Sequence, residues 1–503
     1  SKKNLNYRII LNYMNKKNSR PSEKDIAGLV QEYQSRRYNN AINLASSIID
    51  KFPTHQFTLK VLGALFGITG RIKDSINTNQ QLIDLYPNDY EAHNNLGNSF
   101  KQLGKLEESF KSYTKAIELK PDYAEAHNNL GNCLRLLNQL KHSEKKLKKA
   151  IELKPEYAEA HNNLGITLQE LGKLEDSEKC YKKAIELKPD FAHGYFNLST
   201  LLNLKANLKE GLKLYEWRLH KAKGTAEKPR KEFTWDGKKS IQGKKILVYE
   251  EQGIGDIIQF YRYLFLLQNK GAEVIFKVKQ NLHHLFATSN KKIKITNNCS
   301  EISNIDFEIP LMSLPFLLKT DIDTIPASIP YLKPNYKKLN EWGKKLKSDN
   351  FKVGICWQGS KNKIDLGRSF SLSLFKDISK LSNVQLISLY KGKEEKQILD
   401  VNFDLVTLGN DFDSGENSFI DTTAVMMHCD LIITSDTSIA HLAGALGRKV
   451  WVVLKYIPDW RWMLNRNDSP WYPTMNLYRQ NNLNNWNSVF DTIKTDLELI
   501  VNK

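Results

Sequence analysis

The feature that most constrains this chain is a repeat of 34 residues. Pro53, Pro87, Pro121, Pro155 and Pro189 follow one another at that spacing. Between them, the phrase Glu-Ala-His-Asn-Asn-Leu-Gly occurs three times, and the phrase Lys-Ala-Ile-Glu-Leu-Lys-Pro also occurs three times. Self-similarity at a fixed period of this size is typical of solenoids, in which each unit buries its apolar face against the next. The region is therefore predicted to be a stack of repeated units.

Within each repeat, small and apolar residues recur at the spacing of a helix. Glycines allow the two helices of a unit to approach closely, leucines and alanines supply the apolar stripes, and each proline stops the second helix because it cannot donate a helical hydrogen bond. The residues that share these positions are Gly97, Gly131, Gly165, Leu96, Leu130, Leu164, Ala116, Ala150 and Ala184.

These phrases resemble the tetratricopeptide repeat, a pair of antiparallel helices in 34 residues. The resemblance extends over residues 22–220, with a degenerate first repeat and an atypical last one, as expected of capping units. The fold class predicted for residues 22–220 is therefore an α-solenoid, a tetratricopeptide superhelix.

One asparagine recurs at the same position in four successive repeats, namely Asn95, Asn129, Asn163 and Asn197. By the resemblance, the first helix of each repeat lines the concave face, so these amides are expected to form a ladder along a groove. An amide both donates and accepts, and it grips a peptide backbone without reading its sequence. A protein or peptide partner is therefore predicted, with a purely structural stack as the alternative.

After the repeats the pattern changes to short apolar runs that alternate with helical stretches. Residues 221–239 are charged and punctuated by glycine and proline, and they are predicted to form a linker. Two sets of apolar, partly β-branched runs follow, and they predict two Rossmann-like α/β lobes with buried parallel sheets, over residues 240–335 and 336–503. The predicted strands are 246–249, 273–278, 292–295, 307–309, 352–357, 385–389, 431–434 and 449–454.

Each lobe carries one stretch that favours an anion. In the first, Gly253 and Gly255 allow a tight turn before a helix, but a third glycine is missing, so the stretch is not a dinucleotide fingerprint. In the second, Ser435 or Asp436 is expected to cap a helix at whose start Thr437, Ser438 and His441 face the ligand. Hydroxyls, free N–H groups and an imidazole there suit a diphosphate. The alternative is an ordinary capped helix with a satisfied histidine.

Gly253-x-Gly255-Asp256 and Asp436-Thr437-x-x-x-His441 resemble the two signature stretches of the ADP-heptose heptosyltransferases, which are GT-B glycosyltransferases. With Arg368-Ser369 and the 459–472 tail, the chain looks still more like bacterial proteins that join tetratricopeptide repeats to such a domain. The architecture is also similar to the O-GlcNAc transferases. The resemblance implies a GT-B fold and a nucleotide-diphosphate sugar as co-substrate, with no further cofactor and no metal.

Carried over residue by residue, the resemblance gives Asp256 the role of general base, although a first-turn carboxylate that stabilises the helix dipole is the alternative. It gives Arg368 a phosphate contact and assigns the same diphosphate to Asp436, Thr437, Ser438 and His441. Serine at 438 and arginine at 368 depart from the heptosyltransferase pattern and argue against heptose itself. The nucleoside or sugar is expected at Gly253, Gly255, Trp357, Gln358, Gly359, Ser360, Lys391 and Glu394.

Composition narrows the classes that remain. The chain carries 74 Lys and Arg against 56 Asp and Glu, a net charge of +18, but no nucleic-acid-binding motif accompanies the charge. No apolar run has the length of a bilayer crossing or of a secretory leader. Five cysteines without CxxC spacing favour a reducing, cytoplasmic location and no zinc site. The triplets Asp321-Ile-Asp323 and Asp411-Phe-Asp413 are interpreted as solvated loop carboxylates and not as metal ligands.

The leading hypothesis is thus a metal-independent, inverting glycosyltransferase whose acceptor, a protein, is presented by the repeats. One alternative is a non-catalytic scaffold with a degenerate glycosyltransferase domain. Another is a glycan-directed transferase in surface polysaccharide assembly. The sequence names neither the sugar nor the nucleotide.

Overall fold

A computed structural model describes residues 20–220, 230–298, 302–359, 367–392 and 396–502. The chain divides into two compact units. The first contains the residues up to Leu168 together with 186–188, and the second contains 169–185 and the chain from Pro189 onward. The division falls inside the repeat region, so the last helix pair belongs to the same unit as the α/β region.

The repeat region consists of helices in successive pairs, as the 34-residue period predicts. The pairs within the described residues are α1 (Glu23–Gln34) and α2 (Tyr38–Lys51), α3 (Gln56–Ile68) and α4 (Ile72–Leu85), α5 (Tyr90–Gln102) and α6 (Leu106–Leu119), α7 (Ala124–Leu136) and α8 (Leu140–Leu153), α9 (Ala158–Glu170) and α10 (Leu174–Leu187), and α11 (Ala192–Leu204) and α12 (Leu208–Tyr215).

The expected roles of glycine and proline are confirmed in the first unit. A Cβ atom added at Gly97 would lie 2.6 Å from the ring of Tyr113, and one added at Gly131 would lie 2.6 Å from Leu147. Any side chain at these glycines would force the paired helices apart. Helix α6 ends two residues before Pro121, and the leucine and alanine stripes are buried as predicted.

The α/β region contains two sheets in which every described strand pairing is parallel. The first sheet has the order β3-β2-β1-β4 and the second the order β6-β5-β7-β8-β9. The strands are β1 (Lys245–Tyr249), β2 (Glu273–Lys277), β3 (Lys294–Thr296), β4 (Phe307–Pro310), β5 (Phe351–Cys356), β6 (Val384–Ser388), β7 (Leu431–Ser435), β8 (Val450–Leu454) and β9 (Met475–Arg479).

Short helices connect and cover these strands. In chain order they are α13 (Ile254–Phe260), α14 (Tyr263–Asn269), α15 (Gln280–Ala287), α16 (Leu314–Leu317), α17 (Tyr336–Lys345), α18 (Lys396–Asp400), α19 (Ile420–Met427), α20 (Ser438–Ala445) and α21 (Asn487–Val501). All eight predicted strands are present within one or two residues of their expected positions. Strand β9 is not among the predicted strands.

One hydrophobic core joins the two sheets and the last helix pair. It includes Leu212 and Tyr215 from α12, Ile246 from the first sheet, Val452 from the second sheet, and Trp460 from the 3-10 turn after β8. Because these apolar groups are buried together, the last repeat is packed as part of the α/β region and not as a free end of the solenoid.

The segment predicted as a linker is partly packed. Residues 221–229 lie outside the described residues. From Arg230 onward the chain is fastened to the first sheet, since the Arg230 guanidinium donates to Glu308 at 2.8 Å and the buried Trp235 indole donates to the carbonyl of Lys239 at 3.0 Å. The described part of this segment is therefore a structured edge of the α/β region.

Among the described residues, no helix combines the length and apolar character required to cross a lipid bilayer.

Candidate functional site

A cavity of about 310 Å³ lies at the carboxyl-terminal edge of the second sheet. Gln358 and Gly359 follow β5 in its wall, Lys391 follows β6, and Thr437 and Ser438 begin α20. The opposite wall includes Ile254 at the start of α13, which follows the first sheet. Carboxyl ends of parallel strands are where α/β folds bind ligands, so the structure brings five of the predicted residues to a place suited to that task.

The start of α20 is open to an acceptor atom. The N-cap residue is Thr437, not Ser435 or Asp436 as predicted, and its backbone is extended. No side chain of the described residues caps this helix. The N–H groups of its first turn, at the positive end of the helix dipole, can therefore donate to a ligand. Ser435 is buried inside the strand end and takes no part in this surface.

Arg368 reaches the same helix start. A Cβ atom at Gly359 would lie 3.3 Å from a terminal nitrogen of Arg368 and 3.3 Å from the methyl group of Thr437. The missing side chain at Gly359 thus leaves the space that the guanidinium occupies. The structure places this fixed positive charge beside the hydroxyl and N–H donors of α20, which is the combination that a diphosphate requires.

Asp256 caps its own helix and also forms an ion pair. One carboxylate oxygen accepts from the Gly253 N–H at 3.0 Å, and the other accepts from Arg461. The side chain is 18% exposed. Burial raises the pKa of the Asp256 carboxyl above its ordinary value, and the charge of Arg461 offsets part of that rise. Asp256 thus lies in the first turn of α13, where the dipole-stabilising alternative places it, and it also pairs with Arg461.

Arg461 is the main residue of this cluster without a predicted role. Its guanidinium bridges Asp256 and Asp459, with 2.7 Å to the latter. Burial would lower the pKa of Arg461, but the two carboxylates raise it instead. The signal in the sequence that could have indicated a role for Arg461 is its position between two tryptophans in the 459–472 tail.

Asp436 lies near the same charges. Burial, together with repulsion from Asp459, raises the pKa of Asp436 to about 6, although Arg368 and Arg461 act in the opposite direction. A carboxyl group with this pKa is mostly ionised at neutral pH and takes up a proton in mildly acidic solution.

His441 is buried behind the cavity, not on its wall. It is 4% exposed, its ring stacks on Trp462 at 5.1 Å, and its Nδ1 lies 3.1 Å from the Tyr472 hydroxyl. Burial, with repulsion from Arg461, lowers the pKa of His441 to about 3, so the imidazole is neutral. The alternative of a satisfied histidine describes this position better than a charged phosphate ligand.

The glycines of the first motif, Gly253 and Gly255, lie where α13 packs against α20 and His441. A Cβ atom at Gly255 would lie 2.9 Å from the His441 ring and 3.6 Å from the backbone of Ser438. Gly255 therefore lets α13 approach α20 closely, and Gly253 caps α13. Both residues act through the backbone of the site, and neither lines the cavity of about 310 Å³.

The remaining predicted residues differ in their positions. Trp357 is fully buried in the core of the second sheet, with its ring 4.9 Å from that of Tyr390, so it supports the cavity from behind. The Lys391 ammonium donates to the backbone carbonyl of Phe412 at 2.6 Å and to that of Asp413. Beside Tyr390 and Lys391 lies a second, larger cavity of about 730 Å³. Ser360 and Glu394 lie outside the described residues.

The two Asp-x-Asp triplets differ, since Asp321, Asp323 and Asp411 are exposed whereas Asp413 is bonded within the fold. Asp413 accepts from the Asp421 N–H at 2.7 Å and from Thr422, and burial raises the pKa of the Asp413 carboxyl. The expectation of a solvated carboxylate is therefore wrong for Asp413. Asp321 caps a short 3-10 helix. No group of three or more His, Cys, Asp or Glu side chains suited to a metal ion occurs in the part of the chain that is described.

The asparagines of the repeats form hydrogen bonds between neighbouring repeats. The amide nitrogen of Asn129 donates to Asn94 at 2.9 Å, and that of Asn163 donates to Asn128 at 2.9 Å. Each donor comes from the repeat that follows the acceptor. One of the two amide hydrogens of each residue thus joins neighbouring repeats, and the other makes no hydrogen bond to a described residue. Asn197 is partly exposed in the second unit.

Comparison with known families identifies the repeats. Residues 97–137 and 131–172 match the family described as TPR repeat, and residues 158–191 match the tetratricopeptide repeat family. The helix pairs and these matches show that the chain contains tetratricopeptide repeats, which form a helical solenoid in its N-terminal region, while its C-terminal region is built from parallel α/β elements.

A curated relative, Protein FlbA of Caulobacter vibrioides, is 23% identical over 293 residues, which cover 52% of this chain and 48% of FlbA. The chain spans about half the length of that relative.

Solved repeat structures are similar over about a third of the chain. One is TTC0263, a thermophilic TPR protein of Thermus thermophilus, with 21% identity over 36% of this chain and 98% of that one, and a TM-score of 0.33. Another is a tetratricopeptide repeat protein of Parabacteroides merdae, with 16% identity over 40% of this chain and 80% of that one, and a TM-score of 0.34.

Proposed function

We propose that the α/β region is a GT-B glycosyltransferase domain, which transfers a sugar from a nucleotide-diphosphate donor to an acceptor bound by the repeats. The observation that carries this proposal is the cavity at the carboxyl edge of the second sheet. There, Arg368, Thr437 and the uncapped start of α20 converge opposite the first sheet. Hydroxyl, N–H and guanidinium donors around one cavity suit the pyrophosphate of a nucleotide sugar.

In this proposal the diphosphate lies against α20. The first-turn N–H groups and the hydroxyls of Thr437 and Ser438 donate to its oxygens, and the guanidinium of Arg368 stabilises the negative charge that grows on it as the sugar leaves. The nucleoside extends toward Tyr390 and the larger cavity beside it. Charge neutralisation is assigned to these groups, so the proposed reaction is independent of a metal ion.

Asp256 is the proposed base. Its carboxylate accepts the proton of an acceptor hydroxyl while the hydroxyl oxygen attacks the anomeric carbon and the bond from that carbon to the phosphate oxygen breaks. Attack from the face opposite the diphosphate inverts the anomeric centre. Burial supports this role, since a raised pKa makes the Asp256 carboxylate a stronger base, and Arg461 keeps it oriented.

The acceptor proposed is a protein or peptide. The repeats present the Asn95 amide and the second amide hydrogens of Asn129 and Asn163, and a tetratricopeptide solenoid offers an extended surface for an unfolded segment. A non-catalytic scaffold would use the same surface without the chemistry. A glycan-directed transferase would use the same chemistry without the surface.

Nucleotide binding tests the proposal first. We expect UDP, GDP or ADP, at 100 times its dissociation constant, to raise the melting temperature of the full chain by about 4 °C. Arg368→Ala should abolish most of that rise. Lys494→Ala, which removes one positive charge from the exposed side of α21, is the matched control and should behave like the wild type.

Sugar release completes the test. Wild-type protein should release sugar from the donor whose nucleotide it binds, or transfer it to proteins of a cell extract, while Arg368→Ala should not. If no nucleotide diphosphate shifts the melting temperature, the glycosyltransferase proposal is wrong. If nucleotide binds without hydrolysis or transfer, the scaffold remains.

A further inference from the structure

The end of the last helix pair is bonded to the loop that leads to Asp256. Arg218, in the 3-10 turn after α12, donates to one oxygen of Glu251 from two of its nitrogens, at 2.9 Å and 2.6 Å. The Met312 N–H donates to the same oxygen at 3.1 Å. Both side chains of this ion pair are almost completely buried. A buried guanidinium with this geometry fixes the position of the carboxylate, and hence of the loop, after β1.

A second bond holds the next residue. The Tyr215 hydroxyl, at the end of α12, donates to the side-chain carbonyl of Gln252 at 2.9 Å. Gln252 has a φ of +66°, a backbone conformation that residues other than glycine adopt at a cost in free energy. Contacts from outside the loop are needed to maintain such a backbone. Tyr215 supplies one at the residue just before the N-cap Gly253.

We infer that Tyr215, at the end of α12, and Arg218, in the 3-10 turn that follows, are positioning residues for Asp256. Tyr215 fixes Gln252, Arg218 fixes Glu251, and the Gly253 N–H that follows donates to the Asp256 carboxylate. The last helix pair and the candidate catalytic carboxylate therefore share one packed junction. That Asp256 is catalytic rests on the proposed function. That Tyr215 and Arg218 fix the loop before Asp256 does not depend on the proposed function.

The junction also explains why the last repeat is atypical in sequence. Tyr215 contacts Phe196 of α11 on one side and Trp460, next to Arg461, on the other, with ring centroids 5.3 Å and 5.9 Å apart. Its aromatic face is thus occupied by the α/β region, where an ordinary repeat would meet a further repeat. A terminal repeat that docks in this way needs no polar outer face.

Tyr215→Phe tests the inference with the least damage to the fold, since it removes only the hydroxyl. The measurement is amide hydrogen exchange of the full chain, read in peptides that cover residues 251–257. We expect exchange there to become about five-fold faster, as the loss of one net hydrogen bond predicts, with residues 351–356 unchanged. Tyr263→Phe is the matched control, because it removes an equally buried hydroxyl that bonds Thr320, away from the loop.

Kinetics separate positioning from general stability. If the protein transfers sugar, Tyr215→Phe should lower kcat about five-fold and leave KM for the nucleotide sugar unchanged, because the proposed diphosphate contacts, Arg368 and α20, belong to the second sheet. Unchanged exchange at residues 251–257, or equal acceleration in Tyr263→Phe, would overturn the inference. If the wild type transfers no sugar, the proposed function fails, and the exchange rates alone decide the positioning role.

Discussion

Arg461 and Asp256, 205 positions apart in the chain, form an ion pair that joins the loop after β8 to the helix after β1. Both side chains are mostly buried. Arg461→Met would leave the Asp256 carboxylate without its cation in a site that water reaches poorly. We expect the free energy of unfolding to fall by about 3 kcal/mol, measured by urea titration at neutral pH.

Arg466→Met is the control for this prediction. Arg466 pairs with Asp468, whose side chain is 71% exposed, so the variant should lose less than about 1 kcal/mol. Equal losses in the two variants would show that the Arg461 pair is no more important for stability than an ordinary surface pair.

Gly255→Ala tests the close approach of α13 to α20. The new Cβ would lie 2.9 Å from the His441 ring, which cannot move freely because it is stacked on Trp462. We expect a loss of about 2 kcal/mol in the free energy of unfolding. Gly415→Ala, where a Cβ atom meets no heavy atom within 4 Å, should change stability by less than about 0.5 kcal/mol. A neutral Gly255→Ala would mean that the helices separate at no cost.

The buried His441 makes stability depend on pH. Its pKa is about 3 in the folded protein against a reference of 6.5, so between these values the unfolded chain binds a proton that the folded chain does not. The contribution is complete above pH 6.5 and is lost as the pH falls toward 3. From pH 7.5 to pH 5.0, wild-type protein should lose about 2 kcal/mol more than His441→Phe, as measured by urea titrations at both values. Parallel pH profiles would contradict the assignment.

The amide ladder predicts different results for two asparagines. Asn129→Ala removes the donor to Asn94 and should lower the free energy of unfolding of the repeats by about 1 kcal/mol. The Asn95 side chain makes no hydrogen bond to another described residue, so Asn95→Ala should be neutral within about 0.5 kcal/mol.

Transfer assays with the Asn95 variant then separate the two kinds of acceptor. If the protein transfers sugar as proposed, Asn95→Ala should reduce transfer to protein acceptors and spare transfer to a free glycan, with no loss of stability to confuse the result. An unchanged rate toward proteins would indicate that this part of the ladder does not contact the acceptor.

The repeats could be predicted almost entirely from the sequence, because small and apolar residues pack against each other at the same spacing in successive units. Gly97 and Gly131 meet Tyr113 and Leu147 at the same offset, so one correct interpretation holds for each unit. The strands of the α/β region were equally clear wherever they were continuous apolar runs. Strand β9 was missed because Asn476 and Arg479 interrupt its apolar pattern at the edge of the sheet.

The candidate site could be predicted where it depends on strand ends. Gly359 and Thr437 follow strands of one sheet, and the rule that carboxyl ends of parallel strands meet at one edge places them together. The partners of Asp256 and the burial of His441 could not be predicted, since they depend on which distant side chains fill the space. Arg461 and Tyr472 come from a tail whose position no local pattern specifies.

The bonds from Asn129 to Asn94 and from Asn163 to Asn128 have a consequence for how such an array changes length. Each bond joins the same two positions in adjacent units, so a deletion of residues 122–155 would bring Asn163 opposite Asn94 and re-form the bond. Whole units are therefore exchangeable modules, and the solenoid grows or shrinks in steps of 34 residues. An insertion of any other size between Asn94 and Asn129 would shift the Asn129 amide away from its acceptor, while the bond from Asn163 to Asn128 would be kept.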